Sequence, residues 1–254
     1  MPKADFLRSS LLAQHHITGI FSERQGGISP APFDTLNLGL DLGDSAENVQ
    51  QNLVHLAHSA HIPIPHRSQQ VHGTNVLKCH GDGVLHQHDA DILITSELGV
   101  SVGIRTADCL PILLVDPKAG IAAAVHAGWR GTANQVAIIA IQAMQELGAR
   151  SEHILASLGP SIGPCCFEIN LNTAEQLSQS HPQAHTAIST TTTNAHANIQ
   201  AINRLQLLHA GVLSQHVEHL DLCTSCLNKR FFSWRRDKHR AGRQLSIVAL
   251  PESL

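Results

Sequence analysis

The chain has 254 residues, 43% hydrophobic and 15% charged, with a formal net charge of −3. That is enough apolar material for a large core, and one domain spanning residues 1–254 accounts for it. Lys and Arg are scattered, which argues against a nucleic-acid partner, and the longest apolar runs, such as "LPILLVD", are too short to span a membrane.

The N-terminal "MPKADFLRSSLLAQHH" has no apolar segment of signal-peptide form, so the expected compartment is the cytoplasm. In that setting Cys79, Cys109, Cys165, Cys166, Cys223 and Cys226 are expected as thiols or metal ligands rather than a disulfide frame. Nineteen histidines is a high count, and only those delivered by apolar strands call for a special account.

In chain order, "GLDLGDSAENVQQNLVHLAHSA" contains a helix start, with Asp44 or Ser45 as cap and Glu47 in the first turn. Val49, Leu53 and Leu56 give that helix an apolar face. "DILIT", "VSVGI", "LPILLVD" and "IAAAVH" (residues 91–95, 100–104, 110–116 and 121–126) read as consecutive buried strands. "DPKAG" is the turn of a hairpin between the last two. Residues 133–148 read as one helix closed by Gly148. "HILASLGP" is a further strand, and "NTAEQLSQS" a short helix. Residues 181–197 read as loop. "NIQAINRLQLLHAG" is a helix ended by Gly211, and "LSIVAL" a final strand. Strands come in adjacent runs as well as between helices, which favours an α+β arrangement with a mixed sheet.

Three places share one form, an extended approach and then a potential ligand at a turn. They are His72 in "QQVHGTNV", Cys109 in "RTADCLPI" and His126 in "AAVHAGWRG". Two imidazoles and a thiolate suit zinc and leave a tetrahedral position open, as in catalytic sites. Because the ligands lie on separate segments, spacing alone does not decide between a shared metal and partly buried core residues. Gly73, Gly128 and Gly131 permit close approach. Trp129 reads as a core plug, with a stacking wall as the alternative. Arg24 beside a diglycine, Arg130 beside His126, and Arg235 after two Phe and a Trp are candidate anion binders. Lys238 and Arg240 read as a solvated turn. "CTSC" (residues 223–226) has CxxC spacing, and with Cys165 and Cys166 could share a structural zinc; the alternative is buried thiols.

"FSERQGGIS…FDTLNLGLDLGD", "QVHGTNV", "ADILIT", "TADCLPILLVD", "AAVHAGWRGT", "GPSIGPCCFEI", "LDLCTSC" and "FFSWRRDKHRAGRQLSIV" run in the order found in bacterial laccase-domain, or polyphenol oxidase, proteins. The chain resembles that family from about residue 20 to 250. The resemblance implies an αββα sandwich with a large mixed sheet, shared with a bacterial toxin deamidase. It implies purine nucleoside phosphorylase activity with adenosine deaminase side activity, and metal ligands at His72, Cys109 and His126. Zinc is the expected cofactor, with copper possible at the same site. The partners expected are a purine nucleoside and phosphate, for a monomer or small homo-oligomer. Phosphate or substrate candidates are Arg24, Asn37, Arg130 and Arg235; acid/base candidates are Asp108 and Glu168. The chain departs from the family pattern at Asn52-Leu53 and Asn198, and has Phe167 and Trp234 where Tyr is frequent.

Three other readings compete. A trinuclear copper oxidase needs repeated His-x-His pairs, and "HQH" at residues 86–88 is the only one. Cys109 could be a histidine-activated nucleophile in an amide hydrolase. A nucleoside- or metal-binding module would bind without turnover.

Overall fold

A computed structural model of the chain describes residues 3–253. Two sheets stack face to face. One is antiparallel and four-stranded, in the order Phe6–Arg8, Thr18–Ser22, Gln244–Ala249, Ser101–Thr106. The other is six-stranded and mixed, in the order Val217–His219, Leu155–Leu158, Leu110–Asp116, Ile121–Ala127, Ile92–Thr95, Val76–Lys78. Its two outermost pairings are parallel and the inner ones antiparallel.

Side chains alternate across each strand, so each sheet has two apolar faces to cover. Phe21, Val102, Ile104 and Val248 from one sheet meet Leu93, Leu113, Val115, Ala122 and Ala124 from the other. The far face of the six-stranded sheet, with Ile112, Leu114, Ala123 and Val125, packs on helices Val136–Glu146 and Ile199–His209. The far face of the four-stranded sheet, with Ile20, Leu245 and Ile247, takes Leu53 and Leu56 of helix Ala46–Ala60. The result is the expected αββα sandwich. Strands covered on both faces are apolar throughout, which is why the sequence shows continuous runs rather than alternation.

The hairpin expected around "DPKAG" is present, with Pro111 opposite His126 and Asp116 opposite Ile121. Asp116 Oδ1 closes its turn by accepting from the Lys118 and Ala119 amides at 2.9 and 3.1 Å. Two expectations need correction. The helix read over residues 133–148 is two helices, Trp129–Ala133 and Val136–Glu146, because Gln135 takes a left-handed φ of +59°. At that break the Thr132 carbonyl and hydroxyl accept from Gln206 Nε2 and Asn203 Nδ2 of the helix Ile199–His209. The supposed loop at 181–197 contains strands Ile188–Thr190 and Asn194–Ala197, which join Glu168–Asn170 in a small antiparallel sheet. Its inward residues, Ala195 and Ala197, are too small to show a hydrophobic pattern.

Candidate metal centre and cleft

His126 is the next position, after Ala122 and Ala124, on the face where the two sheets meet, and it is 3% exposed. Its Nδ1 donates to Asp91 Oδ1 at 2.6 Å, so Nε2 is the nitrogen free to act as a ligand. The same Asp91 carboxylate accepts from the backbone amides of Val71, His72 and Gly73 at 3.1, 3.0 and 2.7 Å. It therefore fixes the turn that carries His72, whose own φ is +61°. Cys109 lies at the mouth of strand Leu110–Asp116, after Asp108 with a φ of +90°.

The ligand atoms of His72, Cys109 and His126 lie within 4.8 Å of one another. The two rings meet edge to face, centroids 4.8 Å apart. Gly128 makes room for them. A Cβ there would stand 2.9 Å from His72 Cδ2 and 3.2 Å from Cys109 Sγ. The convergence, the soft-plus-borderline donor set and the carboxylate behind one imidazole all fit a divalent metal. Burial alone would push the Cys109 thiol up, but His126 and then His72 outweigh it and bring it down to about 6. Burial would lower His126; the Cys109 thiolate and Asp91 raise it to about 9. Each group thus favours the charged form of the other against the cost of burial.

This cluster forms part of the lining of a cleft of about 710 Å³. Arg105, Arg130, Arg235, Lys238 and Arg243 line it, against Asp108 as the one carboxylate among the described residues of its wall. The guanidinium of Arg235 is anchored on the Cys166 and Glu168 carbonyls, and that of Arg243 on the Ala241 and Gly242 carbonyls. Arg105 is anchored on the Ser68 carbonyl. Arg130 stacks on the Trp129 ring at 4.4 Å. Among the described residues, neither Arg130 nor Lys238 forms an ion pair with a carboxylate. Trp129, Ile162, Phe167, Ile199 and Trp234 supply apolar wall. Trp129 is therefore core and wall at once, packed on the helix layer and facing the cleft.

Not every sequence candidate comes to the cleft. Arg24 turns away, bonding the Asp34 and Asn228 carbonyls and stacking on Phe232. Asn37 is fully buried, with its amide spent on Gly39, Asp44 and Arg243. Glu168 is exposed on the small sheet and accepts from Asn194. Asp108 does reach the cleft, but its oxygens accept from Thr224 Oγ1, Ser233 Oγ and the Arg235 amide at 2.7, 3.0 and 2.6 Å. Lys238 is exposed in a turn, as read, and also lines the cleft. Arg243 stands in the sequence only as one member of the basic stretch "FFSWRRDKHRAGRQ", and nothing there marks Arg105; the one sequence signal for Asp91 is an acidic residue opening a wholly buried run, "DILIT".

The positions that depart from the family pattern have visible work. Asn52 bonds Ser29 and the Asn37 carbonyl and accepts from the Ile28 amide. Asn198 caps helix Ile199–His209 through the Ala201 amide. Phe167 and Trp234 lie under the Arg235 and Arg243 guanidiniums.

Fold and site together define an αββα sandwich with a His-Cys-His cluster in the lining of a cationic cleft. The chain belongs to the family described as multi-copper polyphenol oxidoreductase laccase, whose family model matches residues 18–251. It is 36% identical over 243 residues to purine nucleoside phosphorylase YlmD of Geobacillus stearothermophilus, covering 90% of this chain and 88% of that protein. It is 38% identical over 160 residues to adenosine deaminase RL5 from an unknown prokaryotic organism, covering 62% of this chain and 61% of that one. The crystal structure of YlmD from G. stearothermophilus matches with a TM-score of 0.88 at 31% identity, over 99% of this chain and 100% of that chain.

Proposed function

We propose that this protein is a zinc-dependent purine nucleoside phosphorylase, acting on adenosine, inosine and guanosine, that also deaminates adenosine, with the whole chain as one catalytic domain. His72, Cys109 and His126 hold the metal. The observation that carries the reading is the cleft itself, in which five cations and a wall of rings surround one two-imidazole, one-thiolate cluster. Zinc bound there supplies a Lewis acid and an activated water near neutral pH.

The remaining work falls to the chain. Arg130 and Lys238, uncommitted to protein carboxylates, receive phosphate, for which guanidinium and ammonium donors are suited. Trp129 and Phe167 flank the purine. Asp91 holds His126 in the tautomer that presents Nε2. Asp108 braces the Cys109 turn against Thr224, Ser233 and the Arg235 amide. In phosphorolysis a phosphate oxygen bonds to C1′ of the ribose and the glycosidic C–N bond breaks, its electron pair leaving with the purine. In deamination water adds at C6 and ammonia leaves.

The test is product identification from adenosine, with and without phosphate, before and after chelation. Adenine and ribose 1-phosphate are expected with phosphate, and inosine without it. Both are lost to a chelator and restored by zinc. A second reading has its own support in the Cys109 thiolate facing the His126 imidazolium, the pairing of a cysteine hydrolase. Turnover that survives chelation and dies with a thiol alkylator would select it.

A further inference from the structure

A second group of thiols stands apart from the cleft cluster. Strands Leu155–Leu158 and Val217–His219 are parallel neighbours, so the segments that follow them leave the sheet at the same end. One brings Cys165 and Cys166, the other Cys223 and Cys226. The four sulfurs lie within 4.8 Å of one another. Cys226 Sγ is 3.6 Å from Cys165 Sγ and 3.4 Å from Cys166 Sγ.

A tetrahedral thiolate site with metal–sulfur bonds of about 2.3 Å has sulfurs about 3.8 Å apart. The two shortest approaches, 3.4 and 3.6 Å, fall a little under that value, and all four sulfurs lie within 4.8 Å of one another. The "CTSC" turn is closed by the Leu227 amide on the Cys223 carbonyl at 3.0 Å. The Gly163 amide donates to Cys223 Sγ at 3.3 Å, as amides do around bound thiolates. A Cβ at Gly163 would stand 3.3 Å from Cys165 Sγ, so glycine permits the approach.

Core packing does not account for the group. Cys165 and Cys226 are exposed and the other two only partly buried, which overturns the buried-thiol reading. A disulfide uses two sulfurs and gives Cys226 two rival partners at nearly equal distance; one ion uses all four. We infer that Cys165, Cys166, Cys223 and Cys226 form a closed four-thiolate site for a soft divalent cation of the zinc class, separate from the cleft cluster.

Its role is to clamp. Arg235 bonds the Cys166 carbonyl in one turn, and Arg236 bonds the Thr224 and Ser225 carbonyls in the other. Thr224 in turn donates to Asp108 beside Cys109. An ion joining the turns would hold the wall of the cleft that carries Phe167 and Arg235.

The experiment uses the Cys109→Ala variant, which disables the cleft cluster, purified anaerobically with a phosphine reductant and no added metal. Elemental analysis is expected to find about one zinc per chain. Cobalt exchanged into it should show the thiolate-to-metal charge transfer and visible bands of a tetrahedral four-sulfur site. Adding Cys226→Ser should remove both signals. Wild-type protein, whose folding is not in question, should carry about two ions, one of them with the four-sulfur cobalt spectrum. Metal-free Cys109→Ala protein, a cobalt spectrum without four-thiolate character, metal that persists after Cys226→Ser, or a disulfide among the four in the reduced preparation would each overturn the inference. None of these outcomes depends on nucleoside turnover.

Discussion

Asp91 ties two histidines from distant segments to one carboxylate, meeting the His126 ring at Nδ1 at 2.6 Å through Oδ1 while the same Oδ1 accepts the His72 backbone amide at 3.0 Å. Its side chain is fully buried. Asp91→Asn keeps the volume but loses charge and sets an amide N–H against donors. Metal affinity should fall by about 10- to 100-fold, as for other carboxylates behind ligand histidines. A competition titration against a chromophoric chelator reads this directly, and unchanged affinity would remove Asp91 from the site.

Gly128→Ala tests the cradle without touching a ligand. The added methyl would contact His72 Cδ2 at 2.9 Å and Cys109 Sγ at 3.2 Å, so the ligands must separate. The variant should keep its circular dichroism spectrum and lose bound metal and turnover together. Full metal occupancy would mean the three side chains are not held as close as described.

Cys109 and His126 each set a pH dependence with a definite sign, and the two signs are opposite. The Cys109 thiol is lowered to about 6, so its contribution to stability is lost as pH falls through that value. His126 is raised to about 9, so its contribution is present below its ordinary value and lost as pH rises through about 9. These opposite changes fall in the same window, about 6 to 9, so they offset each other and the pair should leave the midpoint temperature of the metal-free protein nearly flat across it. Within the window Cys109 is already a thiolate, but His126 must shed a proton to bind an ion, so about one proton should be released per ion bound. Calorimetry in buffers of different ionisation enthalpy measures it; no release near pH 7.5 would contradict the described pair.

Arg130→Ala should raise the KM for phosphate by roughly tenfold, the scale of one hydrogen bond to a charged group. Because phosphate takes no part in deamination, phosphorolysis should suffer more than inosine formation in phosphate-free buffer. Equal losses would make Arg130 a binder of the nucleoside or a prop for Trp129 rather than a phosphate ligand.

Asn198→Ala removes the cap of helix Ile199–His209, whose Ala201 amide bonds Asn198 Oδ1 at 3.0 Å. Loss of about 1 kcal/mol of stability is expected in denaturant unfolding, with metal content unaffected. A cleft role for Asn198 would instead show in KM.

The ligand residues were legible because each stands at a turn where an apolar segment ends or begins, a pattern visible in one dimension. The site around them was not. Asp91 opens a strand like any polar boundary residue, and only the register beside His126 gives it a task. Arg24 and Asn37 sit in motifs of the right kind, yet carbonyls brought up from residues 34, 39 and 228 absorb their donors. Arg105 and Arg243 gain meaning only when strands Ser101–Thr106 and Gln244–Ala249 pair and aim their ends at one cleft. Strands and covered faces could be read from composition; the break at Gln135 could not, because it answers to Asn203 and Gln206 some seventy residues later.

His126 prolongs the very row of side chains through which the two sheets grip each other. Its position is therefore inherited from hydrocarbon contacts deep in the sandwich, not from the flexible rim. Slackening that interior, for instance with Leu113→Ala, would be felt first as weaker chelation and only later as loss of the folded state.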